Sequence, residues 1–191
     1  MKITNKSFSS AYIFNGDDMK NKLFRQCIFG FIFTGILGSL FHFVYRWSGC
    51  NSFVGLFFPV NESTWEHLKL LYLPYLIWSV VEYKATNKNK SLWFGKAIGL
   101  LIGMLAIISF FYSYNGIIGR NIPFLNILSF FIGIAAAFAI DFFIIKSNRF
   151  EKLEKVGIAV FAVVGAAFIL FSFMPPLIPL FKDPVTFSYG I

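Results

Sequence analysis

The chain has 191 residues, of which 57% are hydrophobic, 20% are aromatic and only 14% are charged. Soluble domains are about 45–50% apolar and about 25% charged, so this composition excludes an ordinary soluble domain and indicates an integral membrane protein. The net charge of +8 would suggest nucleic-acid binding in a soluble protein. We expect no nucleic-acid partner here, because in a membrane protein the distribution of Lys and Arg reports orientation instead.

Five apolar stretches follow a polar N-terminal tail of residues 1–22. They cover roughly residues 23–45, 66–83, 93–113, 124–145 and 156–174. Each approaches the ~20 residues that a helix needs to cross a hydrocarbon core of ~30 Å, and an isolated span can satisfy its backbone groups in lipid only as a helix. The sequence therefore predicts an all-α bundle of five transmembrane helices over residues 23–174, with the bilayer as its main partner.

The basic residues predict an orientation. Thirteen of the seventeen lie in the N-terminal part through Arg25, in the second connection through Lys96 and in the fourth connection. The positive-inside rule then places the N-terminus in the cytoplasm and the C-terminus outside, in the cytoplasmic membrane of a bacterium. The apolar segment 53–58 is too short to span, so we expect it to lie at the outer interface. Residues 175–191 are rich in proline and are predicted to form a non-helical outer tail.

Small residues recur at four-residue spacing in three of the predicted helices, which is typical of faces where helix backbones approach closely. The three stripes are Gly30, Thr34, Gly38 and His42; Gly95, Gly99 and Gly103; and Gly133, Ala137 and Asp141. The first stripe predicts that His42 faces the bundle near its outer end.

The stretch from Pro59 to His67 is polar within an otherwise apolar chain. Only nine acidic residues and two histidines exist in the whole sequence. The spacing of Ser63 and Glu66 is that of a capping box, but capping does not account for Glu62 and His67. Because the topology places His42 at the same outer depth, we predict an outward-facing polar site formed by His42, Asn61, Glu62, Ser63, Glu66 and His67.

Two carboxylates and two imidazoles could hold a divalent metal with an open coordination position. The candidate ligands are His42, Glu62, Glu66 and His67. The same groups could serve as an acid–base pair or as an ion relay, and the spacing is not the His-Glu-x-x-His of zinc proteases. No catalytic residue can be assigned at this point.

Glu82 and Asp141 are two further carboxylates in apolar surroundings, near the predicted inner ends of helices two and four. Carboxylates inside a membrane are functional candidates by default, so both could belong to a proton or cation relay. Both are also close enough in sequence to Lys84 or Lys146 to form simple interfacial ion pairs. These two interpretations remain open.

The run PVNESTWEHLKL at residues 59–70, with Glu82-Tyr83 and the closing segment 175–184, resembles a family of small bacterial integral-membrane proteins of unknown function. The resemblance implies a multi-spanning bundle and no particular activity. Four functions stay open: binding of a cation, lipid head group or small polar ligand; a proton- or cation-coupled permease; a metal- or acid–base-assisted membrane hydrolase; and an accessory subunit that docks a protein partner or a second copy.

Overall fold

The computed structural model describes residues 6–86 and 88–191, with side chains from Lys20 onward. The described chain is helical: α1 (Lys6–Trp47), the single-turn α2 (Ser52–Gly55), α3 (Thr64–Ala85), α4 (Ser91–Ile118), α5 (Pro123–Ser147) and α6 (Glu154–Phe173). Two 3₁₀ turns cover Glu151–Leu153 and Pro179–Phe181. Over the same residues, β structure is limited to one antiparallel bridge between Lys182 and Tyr189.

Within the described part of the chain, four helical segments are long and apolar enough to cross a membrane. They are Lys20–Trp47, Ser91–Ile118, Pro123–Ser147 and Glu151–Phe173, and they correspond to the first, third, fourth and fifth predicted spans. The predicted second span, α3, has 22 residues and is about 33 Å long, but it is not among the four. Its charged residues Glu66, Lys69 and Glu82 lower its apolar character.

α3 packs against α1, α4, α5 and α6. Its side chains Leu68, Leu71 and Tyr75 are fully buried, and so are three of its four charged groups, Glu66, Lys69 and Glu82, each at most 2% exposed. The polar composition of α3 is consistent with this position, because these three buried groups have polar or charged partners within the protein.

The small-residue stripes of α4 and α5 lie against each other. A Cβ atom added at Gly99 would lie 2.6 Å from the carbonyl oxygen of Ala137, and one added at Gly103 would lie 2.7 Å from that of Gly133. Side chains larger than hydrogen cannot fit at such distances, so these glycines allow the two helices to pack backbone against backbone. The predicted packing faces of these two helices are therefore confirmed.

The N-terminal and C-terminal segments are both more ordered than the tails that the sequence predicts. Residues 6–22, predicted to be a polar tail, form the first turns of α1, and residues 1–5 lie outside the described chain. The C-terminal segment is non-helical apart from its 3₁₀ turn and folds back on the bundle. The backbone N–H of Ile191 donates to the carbonyl oxygen of Ser172 at 2.9 Å, which fixes the last residue to the end of α6.

Candidate metal centre

The start of α3 is fixed by local hydrogen bonds in the polar motif. Ser63 is the N-cap residue, and its Oγ accepts from the backbone N–H of Glu66 at 3.3 Å. Asn61 Oδ1 accepts from the N–H of Ser63 at 2.9 Å, so these two residues form the turn that precedes the helix. Because α3 begins at Thr64, Glu62 lies before the helix and does not share a helical face with Glu66.

Glu62 contacts both histidines of the chain. Its Oε2 is 3.4 Å from Nε2 of His67, and its Oε1 is 3.8 Å from Nε2 of His42. The imidazole rings are 5.2 Å apart between centroids. Nitrogen and oxygen atoms from all three residues lie within 4.8 Å of one another. Three separate elements, α1, the preceding loop and α3, supply this set.

A hydrogen bond to the backbone orients His67. Its Nδ1 lies 2.9 Å from the carbonyl oxygen of Ser63. With Nδ1–H donating to that carbonyl, Nε2 is turned towards Glu62; it donates to the carboxylate when the ring is protonated and offers a lone pair to a metal ion when the ring is neutral. Metal-binding histidines commonly have this second hydrogen bond, because it fixes both the tautomer and the ring orientation.

Arg46 is the third basic side chain next to Glu62, after His42 and His67. Its Nη2 is 3.2 Å from Glu62 Oε1. The hydrogen bond from His67 lowers the pKa of Glu62 most, and the positive charges nearby lower it further against the opposing effect of burial. Glu62 is therefore an ionised carboxylate at neutral pH, as a metal ligand must be.

Glu66, the fourth predicted ligand, points elsewhere. Its Oε2 pairs with Lys69 Nζ at 2.8 Å and accepts from the N–H of Val60 at 3.1 Å, and its Oε1 accepts from Ser172 Oγ at 2.7 Å. Lys69 also donates to the carbonyl oxygen of Gly55 at 2.8 Å. The structure thus separates Glu66 from His42, Glu62 and His67, and engages it in a buried network that ties α3 to α6 and to the loop.

Glu82 and Asp141 share one partner, and it is neither Lys84 nor Lys146. Lys96 Nζ lies 2.8 Å from Glu82 Oε2 and 2.6 Å from Asp141 Oδ2, and all three side chains are fully buried. Of the two interpretations left open by the sequence, the ion-pair one holds with a different cation, Lys96 in place of Lys84 or Lys146. Both acids already have a cationic partner, which favours a structural ion pair over a relay.

From the sequence, we assign Lys96 to the second connection because it closely follows the lysines there. The spacing of Lys96 relative to the glycines of α4 instead indicates a position on the packed face of that helix. Lys96, Gly99 and Gly103 stand at i, i+3 and i+7, so they share one helical face, and that face packs on α5. Tyr75 completes the cluster by donating its hydroxyl to Asp141 Oδ2 at 2.5 Å.

His42, Glu62 and His67 together form what we call the two-histidine cluster. A cavity of about 500 Å³ adjoins it. Its polar rim is formed near the C-terminal end of α1 and the N-terminal end of α3 by Arg46, Glu62, Thr64 and His67. The remaining lining comes from α3, α4, α5, the α4–α5 loop and the C-terminal tail: Leu70, Ile107, Phe111, Asn121, Pro123, Asn126, Ser129, Phe130, Pro184 and Val185.

The C-terminal tail forms part of the cavity wall and is hydrogen-bonded to the polar motif. Asp183 Oδ2 accepts from the N–H of Glu62 at 3.3 Å, and Asn61 Nδ2 donates to the carbonyl oxygen of Gly190 at 3.1 Å. Burial acts to raise the pKa of Asp183, but the backbone N–H groups of Val185, Thr186 and Glu62 hold it below its usual value. Asp183 therefore fastens the tail to the loop as a carboxylate.

Comparison with protein families places the molecule in a group. The model of a family of unknown function, DUF6512, matches residues 18–191. The chain belongs to the DUF6512 family. No curated protein and no solved structure matches the sequence. The description of the DUF6512 family names no activity.

Proposed function

We propose that this protein is a multi-pass membrane protein that binds a divalent transition-metal ion through His42, Glu62 and His67 at the outer end of its bundle. The observation that carries the proposal is the convergence of two imidazoles and one carboxylate from three elements, with ligand atoms within 4.8 Å of one another. Each side chain is about 30% exposed, so an ion can reach the site.

The donor set favours particular metals. Two imidazole nitrogens and one carboxylate oxygen suit Zn²⁺ and neighbouring first-row ions, and three protein ligands leave at least one coordination position for water or a ligand. The adjoining cavity of about 500 Å³ offers the room for that ligand. Metal bound here would lower the pKa of a coordinated water, so the same site is compatible with the membrane-hydrolase alternative.

The orientation and the fifth span belong to the same proposal. α3 has the length to cross a bilayer and is surrounded by helices that are apolar enough to do so. With α3 as the fifth span, the concentration of basic residues in the N-terminal part and in the second and fourth connections favours a cytoplasmic N-terminus. The two-histidine cluster would then face the outside of the cytoplasmic membrane.

Arg46 provides the rival interpretation, in which Glu62 is simply one partner of a surface ion pair. The guanidinium group, at 3.2 Å from Glu62 Oε1, occupies an oxygen that a metal would use. A metal site therefore predicts competition: removal of the Arg46 charge should strengthen metal binding. An ion pair without a metal function predicts no metal binding in either form.

The test is titration of detergent-purified protein with Zn²⁺ by calorimetry, with elemental analysis of the bound ion. His67→Ala and His42→Ala should each weaken binding by about 100-fold or more, because even outer-shell changes cost about 10–100-fold. Arg46→Gln should strengthen it. Cys50→Ser is the matched control, since Cys50 is an exposed thiol at the same end of α1 and should leave the affinity unchanged. Unaltered affinity in both histidine variants would refute the proposal.

A further inference from the structure

The cavity beside the candidate metal centre is deep as well as large. Its volume of about 500 Å³ falls in the usual range of roughly 300–1,000 Å³ for small-molecule sites. Its lining on α3 extends from Thr64 to Leu70, about 9 Å along the axis, and on α4 it reaches Ile107, which lies about 16 Å from the helix end at Ile118. The cavity therefore runs from the outer mouth into the apolar part of the bundle.

The inner end of the cavity lies where α4 and α5 come together. One turn below Ile107, a Cβ atom at Gly103 would lie 2.7 Å from the carbonyl oxygen of Gly133. Backbone contact of this kind leaves no room for a continuing passage between the two helices. The shape is that of a pocket for a ligand rather than a path along these helices.

Polarity changes along the pocket. Arg46, Glu62 and His67 line the mouth, whereas the deeper wall contains Leu70, Ile107, Phe111 and Phe130. A small inorganic ion would contact only the mouth and would leave the apolar wall in contact with water. A ligand with an apolar chain would remove that surface from water, which is favourable by roughly 25 cal/mol per Å².

Arg46 is the group at the mouth that can bind an anionic head group. Asp183 already accepts hydrogen bonds from the N–H groups of Val185, Thr186 and Glu62, and Glu62 itself is paired with Arg46. Arg46 has a side chain that is 72% exposed and a guanidinium with five N–H donors, so it retains donors for a second acceptor. Guanidinium groups match the geometry of phosphate and carboxylate oxygens.

We propose that this pocket binds a single-chain amphipathic molecule, with an anionic phosphate or carboxylate head at Arg46 and its apolar chain between α3, α4 and α5. The inference rests in part on the proposed metal site, because an ion held by His42, Glu62 and His67 would take one oxygen of the same head group. Arg46 is the specificity-determining residue for the head. The chain contacts Leu70, Ile107 and Phe130.

The test uses four probes on detergent-purified protein, each measured by displacement of a fluorescent single-chain lipid. Lysophosphatidic acid and the fatty acid of the same chain length carry anionic heads, monoacylglycerol of that chain length is neutral, and inorganic phosphate lacks the chain. At least one anionic lipid should bind tenfold or more tightly than both monoacylglycerol and phosphate, and the order of the two identifies the head group as phosphate or carboxylate.

Arg46→Gln should reduce binding of the anionic lipid to the level of monoacylglycerol. Arg149→Gln is the matched control, because Arg149 is an exposed arginine after α5, outside the pocket lining, and its loss should leave binding unchanged. Equal binding of neutral and anionic lipids, or an Arg46→Gln variant with unchanged selectivity, would overturn the inference.

Each titration is made with EDTA and with Zn²⁺, so that the two proposals can fail separately. Anionic selectivity that depends on Arg46 in protein that binds no Zn²⁺ supports the lipid inference and refutes the metal site. Zn²⁺ binding without anionic selectivity overturns the lipid inference and leaves the metal site standing. Arg46→Gln alone should move the two affinities in opposite directions, upward for Zn²⁺ and downward for the anionic lipid.

Discussion

Replacement of Lys96 by methionine would leave two buried carboxylates without their cation. The ammonium group lies 2.8 Å from Glu82 Oε2 and 2.6 Å from Asp141 Oδ2, and the three side chains are fully buried. Methionine keeps most of the apolar stem, so the change isolates the charge. Removing one partner of a buried pair costs about 3–5 kcal/mol, and the contacts of Lys96 Nζ with the rings of Tyr75 and Phe138 place the expected loss towards the upper end.

The measurement is the free energy of unfolding in mixed micelles, obtained by titration with a denaturing detergent and followed by tryptophan fluorescence. Lys84→Met is the matched control, because Lys84 is an exposed lysine near the end of α3 and its loss should change stability by no more than about 0.5 kcal/mol. Neutralising both acids in the Lys96→Met background, with Glu82→Gln and Asp141→Asn, should recover part of the loss.

Two outcomes would contradict this account of the buried cluster. A Lys96→Met variant within about 1 kcal/mol of the wild type would mean that the carboxylates do not depend on the ammonium. A Lys84→Met variant as unstable as Lys96→Met would instead support an ion pair formed by Lys84, which the sequence left open.

Three further changes test the buried Glu66–Lys69 pair, the contact between α4 and α5, and the attachment of the C-terminal tail. Lys69→Met should cost about 3 kcal/mol of unfolding free energy, because it leaves Glu66, which is 2% exposed, without its ammonium partner at 2.8 Å. Gly103→Leu should cost about 1–3 kcal/mol by overpacking against Gly133, measured in the same titration. Asp183→Asn should loosen the tail by about 2 kcal/mol, seen as faster hydrogen exchange at residues 184–191.

The Asp183 prediction has a pH dependence. Because hydrogen bonds hold the pKa of Asp183 below its ordinary value, which is about 3.9, its stabilising contribution is fully present above about pH 4 and is lost as the pH falls through the lower folded pKa. The Asp183→Asn variant should lack this acid-dependent step. Equal acid sensitivity of tail exchange in both proteins would refute it.

Gly116→Leu is the control for the glycine prediction. Apart from its own helical neighbours, no atom of the described residues lies within 4 Å of a Cβ atom placed at Gly116, although the residue lies in α4 like Gly103. It should therefore tolerate leucine without loss. If both variants were equally stable, the close approach of α4 and α5 would not depend on the absence of a side chain.

The apolar helices were predictable from sequence because their signal is local. A run of about 20 hydrophobic residues is visible without any knowledge of its neighbours, and the stretch 93–113 falls inside α4 (Ser91–Ile118). The four-residue spacing of glycines likewise indicated where α4 and α5 meet. The role of α3 was harder to predict, since its polarity depends on partners from other helices.

The site was predictable only in part, for geometrical reasons. The depth of His42 followed from counting residues along α1, and the structure brings it to Glu62 and His67. The separation of Glu66 depended on where α3 begins, and the Ser63 cap starts the helix two residues after Glu62. The contact of Arg46 with Glu62 was not predictable, because nothing in the sequence position of Arg46 indicates contact with a residue sixteen positions later.

The buried pair of Glu66 and Lys69 has a consequence for the entropy of binding. Lys69 holds the carbonyl oxygen of Gly55 and Glu66 holds the N–H of Val60, so the segment that leads to Glu62 is anchored at two points before any ligand arrives. A binding group that is already ordered loses little conformational freedom when it engages its ligand. Glu62 therefore presents its carboxylate from a preorganised backbone, so little of the favourable interaction free energy with a ligand is lost to ordering this segment.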